Sequence, residues 1–279
     1  MGREMSEIRT RIYGEISNQN SGGLNTYAII LRRAGQRIEA AATLERCLAI
    51  QEKLDGRDAL GATENMVVLA RTWAGAGACL EALSLLERVH ALRSVSYPAD
   101  SERLLHPQFL MGQVLRYLGR LREAESATTA VLKLRESVPS TLKWTLAQSQ
   151  LELAALYRTA SRLDAAEGQL VVARETLFQA PSPNRRLEPE LLAEEALLLS
   201  ARGKFDESIK VQISVEEIRA KSHPNHPDTW LQKLDRAETL AKIGQRNAAR
   251  DLARQISERA KPSIEPTGGL AKRLAKLMV

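Results

Sequence analysis

Six turn-forming residues recur along the chain at near-constant spacing: Gly35, Gly77, Gly119, Ser161, Gly203 and Gly244, separated by 42, 42, 42, 42 and 41 residues. A period of this length restricts the chain to stacked copies of one supersecondary unit, because such a unit buries its apolar face only against its neighbours. Two more positions keep the register. Seven residues before each turn stands Ala28, Ala70, Gly112, Ala154, Ala196 or Ala237, and five after it stands Ala40, Ala82, Ala124, Ala166, Ser208 or Ala249. All twelve are small, and short side chains on both flanks of a turn let an incoming and an outgoing helix pack closely. Each repeat therefore reads as an antiparallel helical hairpin. Leu31, Trp73, Leu115, Tyr157, Leu199 and Leu240, four before the turn, share the face of the first small position. Cys47, Val89, Val131, Ala173, Val215 and Ile256, twelve after it, are expected to face the next hairpin.

Aromatic content is only 4% and no β-branched segment alternates with polar residues, so nothing competes with an all-helical reading. The pattern predicts first helices over about 23–34, 62–76, 104–118, 142–160, 188–202 and 228–243, and second helices over about 37–54, 79–94, 121–137, 163–178, 205–221 and 246–261. All ten prolines are expected between these helices or at their ends, with His106-Pro107 opening one of them. Leu270, Leu274 and Leu277 share one face of a short final helix suited to capping the array. No internal domain boundary is expected.

A small residue, then Leu or Tyr, Gly, Ala and a further small residue at these offsets resemble the tetratricopeptide repeat, and the 42-residue period resembles the longer variant found in kinesin light chains and many bacterial signalling proteins. Leu24-Asn25 with Ala28, Gly35, Glu39-Ala40 and Leu48-Ala49-Ile50 carry the likeness in the first repeat. Gly119-Arg120-Leu121 with Glu123-Ala124 carry it in the third, and His226-Pro227-Asp228-Thr229 matches the variant's inter-repeat loop. The likeness covers about residues 21–260. It departs at Ser161 and Ser208, and the loops 95–106 and 180–189 lack the family's pattern. The resemblance implies an all-α, right-handed superhelix of six hairpins over 21–261, with a capping helix in 262–279. Ile8, Ile12 and Gly14 lie 42 residues before Ile50, Leu54 and Gly56, so residues 1–20 read as part of a preceding repeat or as an N-terminal cap.

Catalytic patterns are absent: there is no phosphate-cradling glycine loop with its lysine, no Gly-x-Ser-x-Gly elbow and no His-Glu-x-x-His helix. No cofactor or metal is expected. His223, His226 and Asp228 read as a loop leading to a helix N-cap rather than as ligands. Cys47 and Cys79 occupy non-equivalent repeat positions and read as packing residues. Residues 1–20 lack the apolar core of a secretory signal, and no stretch approaches the ~20 apolar residues that span a bilayer. A cytoplasmic location follows as the expectation.

In the resembled repeat class, first helices line a concave groove, with its accessible positions ten, six, three and two residues before the turn. Carried onto this chain, the implied peptide-binding residues are Asn25, Ile29, Arg32, Arg33, Val67, Arg71, Phe109, Gln113, Arg116, Leu151 and Arg158. Arginines fork onto carboxylates, amides hold a peptide backbone and apolar patches take a side chain. The expected ligand is an extended, acidic peptide or partner protein, as the likeness to kinesin light chains also implies. A net charge of +6 keeps a nucleic-acid-binding solenoid as the alternative, but 34 acidic residues interspersed with 40 basic ones argue for a mixed surface rather than a continuous basic stripe. A third reading makes the array the regulatory or docking arm of a protein kinase or signalling ATPase.

Overall fold

The computed structural model describes residues 2–180, 187–222, 227–259 and 269–278, and no strand occurs among them. The helices are α1 (Gly2–Tyr13), α2 (Asn18–Arg33), α3 (Arg37–Asp55), α4 (Thr63–Ala76), α5 (Cys79–Ser94), α6 (Glu102–Tyr117) and α7 (Leu121–Ser137), followed by α8 (Lys143–Thr159), α9 (Leu163–Phe178), α10 (Glu188–Ala201), α11 (Phe205–Ser222), α12 (Pro227–Lys242), α13 (Arg246–Arg259) and α14 (Gly269–Met278). Helix boundaries fall within two residues of the predicted ones, because the turn chemistry marks both sides of each break, except that α2 begins at Asn18 rather than near 23, with Ser17 as its N-cap.

All six turn residues adopt the left-handed conformation. The five glycines have φ between 77° and 93°, and Ser161, at φ 60°, is the one described non-glycine residue with positive φ. This conformation lets the chain end a helix with a Schellman motif. After α2, Gly35 N–H donates to the Arg32 carbonyl at 3.1 Å and Gln36 N–H to the Leu31 carbonyl at 2.9 Å. After α8, Ser161 and Arg162 repeat the pair with Arg158 and Tyr157 at 2.9 and 2.8 Å. The following helix begins at once, as when Ala40 N–H bonds the Gln36 carbonyl at 3.0 Å. Gly14 and Gly56, with φ of 83° and 90°, likewise end α1 and α3, so α1 closes in the manner of a second helix.

The twelve small positions are all buried. Ser208 departs from alanine without leaving its hydroxyl unsatisfied: Oγ donates to the Ala196 carbonyl at 2.7 Å, joining the two small positions of one hairpin. The residues twelve after each turn are fully buried, from Cys47 to Ile256. Cys47 shows what that position touches, with Ser21 of its own hairpin at 3.3 Å and Asn65 of the next at 3.4 Å. Burial pushes its thiol pKa up, and the Ser21 hydrogen bond opposes this only in part.

The chain divides into two compact units, Met1–Leu118 and Gly119–Val279. The division falls at the third turn glycine, where the sequence reading expects no boundary. In the first unit, α2 pairs with α3 and α4 with α5, while α3 packs on α4, α5 on α6 and α4 on α6. In the second, α8–α9, α10–α11 and α12–α13 form hairpins, and α14 packs on α12 and α13. There Leu274 enters the core of Trp230, Leu234, Ala237, Leu240 and Ile256, with Leu277 beside it.

Pro107 corrects the proline reading. With Ser101 as N-cap, α6 starts at Glu102, and His106 and Pro107 lie inside it rather than at its opening. A proline there cannot donate to the carbonyl four residues back. That carbonyl, of Arg103, instead accepts from Arg93 Nη1 at 2.8 Å. Arg93 is buried and also donates from Nε to Thr63 Oγ1 at 3.0 Å, with Nη2 2.9 Å from Glu64. The same repeat position, sixteen after the turn, holds Arg135 and Arg219 in the second unit. Arg135 Nη1 reaches the Thr145 carbonyl at 3.1 Å, and Arg219 Nη1 the Asp228 carbonyl at 2.9 Å.

Candidate recognition face on the first helices

The first helices of the hairpins carry the candidate residues, and their exposure changes systematically along each helix. Ten residues before the turn, Val67 is 5% exposed and Phe109 fully buried. These two are core residues, not ligand-facing ones. The reason is angular: this position stands three residues before the buried small one and shares its inward flank. Leu151 at the same offset is half-buried, packed against Ala147, Ala154 and their neighbours. Asn25 is also half-buried, with its Oδ1 enclosed and without a hydrogen-bond partner among the described residues. Nearer the turn the face opens. Ile29, Arg32, Gln113, Arg116 and Arg158 are of intermediate exposure, and Arg33 and Arg71 are exposed.

The arginines three before the turn differ in their surroundings. Arg158 of α8 grips Glu194 of α10, with Nη2 3.2 Å from Oε2 and Nε against Oε1. Arg116 of α6 lies over the Tyr117 ring, its guanidinium carbon 4.8 Å from the centroid. Arg32 of α2 has neither arrangement. Its Nε is enclosed without a hydrogen-bond partner among the described residues. Burial, then the guanidiniums of Arg71, Arg33 and Arg37, hold its pKa below the ordinary arginine value. The three charges that lower it are all positive. The contrast has a sequence cause, since Glu194 lies nine residues before its turn and the corresponding residue facing Arg32's repeat is Val68.

The second unit presents a different balance on its first helices. Nine before the turn, Glu152 and Glu194 are buried and Asp235 is partly so. Two residues before the turn, Lys242 donates to Ser200 Oγ at 3.2 Å. Asp235 and Glu238 are met by Arg273 of α14, at 2.5 Å and 2.8 Å. Burial raises the Asp235 pKa, and Arg273 offsets that only partly. Desolvation lowers the Arg273 pKa, but the hydrogen bonds and charges of Glu238 and Asp235 together outweigh it and raise the value. Sequence reasoning missed both this pairing and the buried arginines. The latter had a signal, because Arg93 and Arg135 are one period apart.

No group of His, Cys, Asp and Glu among the described residues could hold a metal ion; His223 and His226 lie outside them. No described helix is long and apolar enough to cross a membrane.

The fold is a tetratricopeptide-like array of helical hairpins. A Rap protein complexed with competence and sporulation factor superposes with a TM-score of 0.69 at 11% identity, over 99% of this chain and 79% of that one. A tetratricopeptide repeat protein from Parabacteroides merdae gives 0.61 at 14% identity, over 100% and 91%. BtubC (BKLC) from P. vanneervenii gives 0.58 at 14% identity, over 81% and 91%. No protein-family model and no curated protein matches the sequence.

Proposed function

We propose that this chain is a non-catalytic protein-interaction module that takes an extended, acidic peptide on the first-helix face of its N-terminal unit. The supporting observation is the charge state of that face. Arg32, Arg33 and Arg71 gather there with no described carboxylate in ion-pair range, while Arg158 in the second unit already holds Glu194. Asn25 and Ile29 stand on α2 seven and three residues before Arg32, along the same stripe. An amide, an apolar side chain and a guanidinium in file suit an extended chain that alternates backbone and acidic side-chain contacts. Gln113 and Arg116 continue the row on α6.

The reading separates from nucleic-acid binding because Arg158, Arg202, Arg236 and Arg273 are each committed to carboxylates. Such commitment interrupts the basic stripe that phosphate-backbone binding needs. The experiment is a fluorescence-anisotropy titration with acidic peptides carrying one apolar anchor. Arg32→Glu with Arg71→Glu is expected to weaken capture roughly a hundredfold, about 2.7 kcal/mol, with the helical circular dichroism unchanged. Equal affinity in the variant removes this face from the function, and tighter capture of single-stranded DNA than of peptide replaces the reading.

A further inference from the structure

The guanidinium group around Arg32 carries more positive charge than one ligand carboxylate neutralises. Arg32 and Arg33 close α2, Arg37 opens α3 across the turn, and Arg71 comes from α4 of the next hairpin. Arg37 is anchored, donating from Nη1 to the Gly75 carbonyl at 2.9 Å. Its side chain lies flat on Gly75, 3.2 Å from where a Cβ would stand, so glycine there lets the arginine draw close to the end of α4. Arg32 Nε is enclosed and has no acceptor among the described residues. At the corresponding place in the second unit, Glu194 supplies two oxygens to one arginine. Around Arg32 the repeat supplies Val68, which offers no side-chain acceptor.

We propose that Arg32 and Arg71, backed by Arg33 and Arg37, form an anion subsite for the phosphoryl group of a phosphorylated serine or threonine in the bound peptide. A phosphoryl group brings about −1.5 to −2 charges and three acceptor oxygens, matching clustered guanidiniums better than a glutamate's single charge and two oxygens. The subsite rests on the peptide-binding reading and sharpens it: the acidic character of the ligand is concentrated in one modified side chain. Ile29 and Asn25, one and two helical turns back along α2, then meet residues on one side of that group.

The test uses the full chain with capped Ala-phosphoserine-Ala, its glutamate and serine counterparts, and inorganic phosphate as probes. Binding is followed through the arginine Nε–H resonances at constant ionic strength. The phosphorylated peptide is expected to shift the Arg32 signal and to bind roughly tenfold more tightly than the glutamate peptide, and more tightly than inorganic phosphate. Arg32→Gln with Arg71→Gln removes that preference, whereas Arg122→Gln with Lys133→Gln, which lowers the net charge equally from exposed positions of the other unit, preserves it. Arg71→Gln alone, at an exposed residue, reports the loss should the Arg32 variant fold poorly. Equal affinity for the phosphorylated and glutamate peptides, lost together in the variant, overturns the phosphoryl assignment and leaves the acidic-peptide reading standing. Phosphate binding that matches or exceeds peptide binding overturns the placement in a peptide. Absence of any binding overturns both.

Discussion

Arg158 and Glu194 form a bidentate ion pair between first helices of consecutive hairpins, three residues before one turn and nine before the next. Both are largely withdrawn from solvent, so removing one leaves the other poorly compensated. Glu194→Ala is expected to cost about 1–3 kcal/mol in urea unfolding, and Arg158→Met in the same background to cost less than it does alone. Additive losses would deny the coupling.

The buried arginine and the internal proline make a second coupled pair. Arg93→Met removes the donor that Pro107 cannot supply to the Arg103 carbonyl, with an expected loss of about 2–4 kcal/mol. Adding Pro107→Ala restores a backbone donor in the helix and should recover part of it. A cycle without recovery would place the worth of Arg93 in its Thr63 and Glu64 contacts alone.

Ser161 bears a left-handed φ that the other turns assign to glycine. Ser161→Gly is expected to stabilise by about 0.5–1 kcal/mol, the left-handed penalty of about 1–2 kcal/mol less the added freedom of the unfolded chain. Gly203→Ala should destabilise by a similar or larger amount. Thermal unfolding of the two variants gives shifts of opposite sign if the turns are equivalent.

Ala154 is fully buried at the small position of the fourth hairpin. Ala154→Leu should cost about 1–3 kcal/mol through overpacking between α8 and α9. An unchanged denaturation midpoint would show that the helices separate freely there.

Asp235 supplies a pH test. Its folded pKa is raised by burial, with Arg273 opposing, so the folded state binds the proton more tightly than the unfolded chain. Stability contributed by this group is present at low pH, and declines as pH rises from the ordinary aspartate pKa of about 3.9 towards the raised folded value. Asp235→Asn should remove that decline in a pH series of urea midpoints. A decline of the same size in the variant would assign it to another group.

The hairpins were legible because their determinants are local. A glycine that tolerates positive φ, a small residue on each flank and an apolar side chain one turn away act within a few residues of the turn, and the 42-residue spacing repeats them. The candidate face was legible only in part. Arg32, Arg33 and Arg71 sit where the repeat register puts them, but Val67 and Phe109 turn inward, since the position ten before the turn lies on the buried flank. The burial of Arg93 was not read from the sequence; its guanidinium meets a carbonyl ten residues later, one that Pro107 leaves without a backbone donor.

The order of residues by itself determined the helical hairpins, their period and the small contacts that let each pair close, because those depend on steric limits and backbone bonds between near neighbours. Which arginines are committed and which stand unneutralised was decided only by the tertiary structure. The partners of Arg158 and Arg273 lie in another helix more than thirty residues away, and the same offset holds Glu194 beside Arg158 but Val68 beside Arg32.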